Sequence, residues 1–61
     1  MEPLITAADV GVALGNIPAK TIRAYARDGR LPAVWIGRHL RFFRSRVMDA
    51  VEQAAREGRP I

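Results

Sequence analysis

The sequence predicts a mainly α fold with one small β-hairpin, ordered helix, turn, helix, two-stranded wing and C-terminal helix. Three observations carry that expectation. Apolar residues recur at helical spacing over residues 7–14, 18–29 and 46–57. Over residues 33–42 the period changes to two. Glycine or proline stands at each junction: Gly15, Pro18, Gly29, Pro32, Gly58 and Pro60. The 61 residues are expected to form a single domain, with its core at about 4–57. A chain of this length buries only about 60% of its unfolded surface, so its core must be economical.

After a short lead-in, Thr6 is the expected N-cap of a first helix over Ala7–Leu14, with Asp9 three residues on in a weaker form of the capping box. Ile5 and Val10 flank that cap as a hydrophobic staple. Val10, Ala13 and Leu14 form the expected inward face. Gly11 in the helix interior costs about 1 kcal/mol relative to alanine, so either packing is close there or the helix is frail.

Gly15-Asn16 breaks the first helix and Pro18 restarts the pattern, a spacing that reads as helix-turn-helix. The second helix runs over PAKTIRAYARDG, residues 18–29. At about 100° per residue, Ile22, Tyr25 and Ala26 point one way. Lys20, Arg23 and Arg27 point the other, with Ala24 beside them. Gly29 suits a left-handed C-terminal cap, and Pro32 keeps the helix from resuming.

The stretch AVWIGRHLRF is expected to be a hairpin with a cationic tip, its loop at residues 37–39. Ile36 then faces Leu40 and Val34 faces Phe42 on the buried side. Trp35 lies across from Arg41 on the outer side, in reach of a cation–π contact. Trp35 has three open roles: packing on Arg41, touching DNA or meeting another subunit. Ser45 is the expected N-cap of a last helix over about 46–57, with Val47, Ala50, Val51 and Ala54 inward and Gly58 and Pro60 at its end.

Charge narrows the partner. The net charge is +4, but its distribution is uneven. Between residues 15 and 46, Lys20, Arg23, Arg27, Arg30, Arg38, Arg41, Arg44 and Arg46 face the single acid Asp28. Cations concentrated on a small domain point to a polyanion, most simply nucleic acid. The dominance of arginine favours fork-shaped recognition of phosphate or guanine. A membrane surface would need a strongly amphipathic helix with bulky apolar residues, which neither flanking helix offers.

Other classes lose support. The chain has no cysteine, hence no disulfide, thiolate metal site or cysteine nucleophile. His39, the one histidine, has no companion ligands or nearby carboxylate pair and reads as a loop residue near phosphate. The carboxylates do not converge, so acid–base chemistry has no support. No catalytic residue, metal, cofactor or small-molecule substrate is expected. No apolar run approaches the roughly 18 residues that cross a bilayer, and MEPLITAADV lacks the basic region of a signal peptide. The expected location is the cytoplasm of a bacterial host cell, on DNA.

LITAADVGVALG, TIRAYARDGRLPAVWIGRHLRF and the closing helix together resemble the small winged helix-turn-helix domain of phage excisionases, which is akin to the DNA-binding domain of MerR-type regulators. The pattern is a threonine-capped first helix running into Leu-Gly, a second helix ending in Gly-x-Leu-Pro, and a hairpin with an aliphatic-Gly turn followed by an arginine. Here these are Thr6, Leu14-Gly15, Gly29-Arg30-Leu31-Pro32, Ile36-Gly37 and Arg41, and the match spans about residues 4–55. Two departures stand out. Gly15 to Ile22 is one residue longer than the pattern, and Leu40 replaces an aromatic at the start of the second strand while Trp35 supplies one on the first.

The resemblance implies a second helix in the major groove and a wing on the adjoining backbone or minor groove. Carried over by position, Pro18, Ala19, Lys20, Thr21, Arg23, Ala24 and Arg27 would be the reading surface, and Arg38, His39 and Arg41 the wing. Thr21 and Ala19, near the helix start, suit a thymine methyl. Arg30, Arg44 and Arg46 either flank the backbone or are solvated. The implied role is that of an excisionase, a recombination directionality factor that binds adjacent attachment-site repeats, bends DNA and contacts an integrase, with cooperative self-association along the DNA. Two other readings stay open: a small winged-helix transcriptional regulator, and a protein-interaction module whose basic face docks an acidic partner.

Overall fold

A computed structural model describes residues 1–61. Its elements are β1 (Leu4–Ile5), α1 (Ala7–Ala13), α2 (Ala19–Arg27), β2 (Val34–Ile36), β3 (His39–Phe43) and α3 (Arg44–Glu57). This is a winged helix-turn-helix: three helices with a three-stranded antiparallel sheet in the order β1-β3-β2. No helix is long and apolar enough to cross a membrane.

The expected lead-in is therefore a strand. Leu4 pairs with Phe43 and Ile5 with Phe42, so the wing is the outer part of a larger sheet. A two-residue strand is too short to show a period in sequence. It exists because β3 offers an edge for it to pair with.

Thr6 caps α1 as expected, and the capping box is complete. Its hydroxyl accepts from the Asp9 N–H at 3.2 Å, and the Asp9 carboxylate accepts from the Thr6 N–H at 3.1 Å. The inward face is Ala7, Val10 and Gly11, all buried, with Leu14 partly so. That is an i, i+3, i+4, i+7 stripe. Ala13, expected inward, is off this stripe and exposed.

Gly11 lets α1 and the following turn approach closely. A Cβ built on it would lie 2.0 Å from the Ile17 carbonyl oxygen and 3.7 Å from Ile22 Cγ1. The Ile17 N–H donates to the Gly11 carbonyl at 2.9 Å, locking the same joint. Close packing, not a frail helix, is thus the reason for glycine here. Asn16 turns the chain in a left-handed conformation (φ 67), which asparagine tolerates.

Pro18, expected as the first helical residue, is instead the N-cap of α2, with ψ 141. Its carbonyl accepts from the Thr21 and Ile22 N–H groups at 3.0 and 3.2 Å, and it has no N–H of its own to satisfy. The core consists of Ala7, Val10, Ile22, Leu31, Leu40, Phe42 and Val47, so every helix and the central strand contribute.

Ser45 does not cap α3. The helix begins at Arg44 with Phe43 as N-cap, and the first turn is held by a carboxylate from the far end of the chain. Glu2 accepts from the Ser45 N–H at 3.2 Å and from the Ser45 hydroxyl. A remote acid thus takes the place usually held by a local cap, and its charge suits the positive end of the helix. Val47 and Ala54 are buried and Ala50 and Val51 partly buried, as expected. Gly58, in the left-handed conformation at φ 68, closes the helix.

Two outcomes follow from this packing. Gly11→Ala should destabilise the domain by about 1–3 kcal/mol in chemical denaturation, despite alanine's better helix propensity, because the new methyl meets backbone. Hydrogen bonds hold the carboxyls of Glu2 and Asp9 below their ordinary values of 4.5 and 3.8, Glu2 through Ser45 and Asp9 through Thr6. Since both are lowered in the folded chain, their stabilisation is complete above those values and is lost as pH falls through the lowered ones. Thermal melts should therefore show stability dropping below about pH 4. Glu2→Gln should flatten that drop and lower the melting temperature at neutral pH.

Candidate nucleic-acid interface

Helix α2 divides as its periodicity predicts. Ile22 is fully buried, Tyr25 and Ala26 are partly buried against the core, and Lys20, Arg23, Ala24 and Arg27 are exposed. The start of the helix is mixed: Pro18 is exposed, Thr21 is half-buried, and Ala19 packs partly against the core. The cationic face thus stands on a helix fixed from behind by Ile22.

The hairpin is tighter than expected. The register pairs Val34 with Arg41, Trp35 with Leu40 and Ile36 with His39, leaving a two-residue loop, Gly37-Arg38. Gly37 has φ 60 while Arg38 does not enter the positive region, the pattern of a type II′ turn. Such a turn matches the right-handed twist of the strands, which is why the three-residue loop over 37–39 loses. A slip of one residue exchanges faces. Trp35 therefore shares the face of buried Leu40, not that of Arg41. Ile36, expected inside, is about half exposed (49%), and Val34 is only partly buried. The expected Trp35–Arg41 contact does not form; an Arg41 Nη1–H instead donates to the Leu40 carbonyl at 2.8 Å.

Between α2 and the wing lies an open groove. Arg23 and Arg27 form one wall and Trp35, Arg38, His39 and Arg41 the other, with Leu40 and the start of α1 at Thr6–Ala8 completing it. The structure thus brings the second half of the α2 cationic face together with all three expected wing residues. Pro18, Ala19, Lys20, Thr21 and Ala24 lie outside this groove. No carboxylate lines it, so the charged side chains that face it are all cationic.

The remaining arginines are mostly occupied elsewhere. Arg30 lies 3.9 Å from Asp28, stands over the Tyr25 ring at 5.7 Å and donates to the Ile61 carbonyl. Arg46 stacks on Phe43 at 4.3 Å. Arg56 pairs with Glu52 at 2.6 Å, and Arg59 with Glu57 at 2.5 Å, which holds the Glu57 carboxyl below its usual value with help from Gln53. By contrast Lys20, Arg23, Arg27 and Arg38 make no side-chain hydrogen bond, ion pair or aromatic contact within the chain, and Arg44 is the one other cation so placed.

Trp35 is the groove residue that the sequence reading places on the wrong face, across from Arg41. The signal that would have found it is the loop length, since glycine followed by one residue between alternating segments favours the two-residue turn. The rim from α1 gave no sequence signal, because it is set by how α1 packs on β3.

Comparison with curated proteins and with solved structures gives no match. Residues 4–55 do match a family, over most of the chain. Joined to a cationic second helix and an arginine-tipped wing, that match makes DNA the partner: the chain belongs to the helix-turn-helix domain family.

Proposed function

We propose that this protein is an architectural DNA-binding factor of the excisionase type, which occupies adjacent repeats in an attachment site, stabilises bent DNA and turns an integrase toward excision. One observation carries the mode of contact: Arg23, Arg27 and Arg38 meet around one groove with no partner inside the chain, while most other arginines are already engaged. In this reading α2 lies in the major groove, with Pro18, Ala19, Lys20, Thr21, Arg23, Ala24 and Arg27 toward the bases and nearest phosphates. Arg38, His39 and Arg41 hold the backbone beside it.

The architectural role is supported by the ordered resemblance to excisionases and by scale. One helix and wing bury about 600–1,000 Å² on DNA, so a single copy binds weakly. Occupancy then comes from neighbouring copies or from a partner protein, whose linkage raises the effective concentration. Bending a site costs on the order of a few kcal/mol, which phosphate neutralisation along one side by successive copies offsets.

Five or six phosphate contacts give a log–log salt dependence of binding with a slope near about −5. Arg23→Ala or Arg27→Ala should cost about 1–3 kcal/mol of site-specific affinity, measured by gel shift, and Arg44→Ala clearly less. Equal losses at all three positions would sink the reading-helix assignment, and a slope near zero would sink the phosphate contacts. Footprinting on attachment-site DNA with and without integrase tests the role itself. Several adjacent protected patches, strengthened by the integrase, are expected; one isolated patch over a promoter would make the protein a small winged-helix regulator instead.

A further inference from the structure

The geometry points to Trp35 as a contact of the wing with the sugar–phosphate backbone, packing on deoxyribose in the groove between α2 and the hairpin. This inference rests on the DNA-binding reading above and assigns the non-ionic part of that site. Trp35 is the only tryptophan of the chain and is 55% exposed, though its strand position places it on the same face as buried Leu40. It is therefore aimed at the body of the domain and stops short of it, half in the groove. No arginine stacks on its ring; the two cation–π pairs of the molecule are Arg30 on Tyr25 and Arg46 on Phe43.

The wall around it decides the ligand. Arg23, Arg27, Arg38 and Arg41 line the same groove as the indole, and no acid does. Such a setting repels a cationic peptide and attracts a phosphodiester strand, which alternates anionic phosphate with an apolar sugar face. The arginines match the phosphates, and a flat apolar ring with one N–H donor matches the sugar and a phosphate oxygen. Backbone is favoured over base edges by position. Trp35 stands on the wing, across the groove from α2, and Ala19, Lys20 and Thr21 at the start of α2, where helices of this kind reach bases, do not line that groove.

An apolar backbone contact has a signature that an arginine lacks. Trp35→Ala should lower affinity for specific and random duplexes by the same factor, about tenfold, as expected if DNA covers about 60 Å² of indole. The salt slope should stay unchanged, because no counterion is released by a neutral side chain. Trp35→Phe should recover part of the loss, and circular dichroism of both variants reports whether they fold. The wild-type chain supplies a second readout, since fluorescence of its lone tryptophan should change on adding random duplex at low salt. Wild-type affinity in Trp35→Ala with unchanged wild-type fluorescence would overturn the inference and leave the DNA-binding reading standing. A loss confined to the specific site would make Trp35 a base reader and overturn the backbone assignment. Failure of the wild-type protein to bind any duplex would overturn the functional reading itself.

Discussion

The approach of α1 to the chain just before α2 is the contact on which the rest of the domain depends. Gly11 meets the Ile17 backbone with no room for a side chain, and the Ile17 N–H is bonded to the Gly11 carbonyl. This joint sits between the capped first helix and the second helix, so it fixes their spacing. Ile22, fully buried one turn into α2, packs against the same place. Moving the joint would tilt α2 and swing Arg23 and Arg27 relative to the wing. In a domain of this size few other contacts are available to restore the position.

The same economy governs charge. The chain carries ten basic residues and six acidic ones, and all the acids but Asp49 make local contacts. Asp9 completes the α1 capping box, Glu2 holds the first turn of α3, and Glu52 and Glu57 pair with arginines of the last helix and its end. None lines the groove between α2 and the wing. Exposed ion pairs of this kind add little stability. Their larger consequence is that positive charge remains uncompensated on one side of the molecule, where the proposed reading needs it. Long-range attraction and close-range contact then arise on the same surface.

The wing is coupled to the core through β3. Leu40 and Phe42 enter the core while Arg41 and His39 point from the other face, and β1 pins the far edge of the strand. The hairpin is thus an extension of a three-stranded sheet and not a free ribbon, which would be marginal alone. A held wing keeps Arg38 and Trp35 at a set distance from α2, so less ordering is left to occur on binding.

Much of this was legible from the sequence because it is local. The capping box at Thr6, the two faces of α2, the break at Gly15-Asn16, the glycine turn of the hairpin and the apolar stripe of α3 each follow from spacing within one or two turns of chain. The concentration of arginine between residues 15 and 46 was equally plain. What sequence could not supply depended on partners distant along the chain. Leu4–Ile5 became a strand because β3 was there to pair with it, Ser45 lies inside the first turn of α3 with Glu2 accepting from it, and Ala13 turned outward because Gly11 packed inward. The one-residue difference in hairpin register, which moved Trp35 into the groove, was settled by turn geometry together with burial of Leu40 and Phe42. Local pattern fixes which residues share an element's face; only packing against other elements fixes which way that face points.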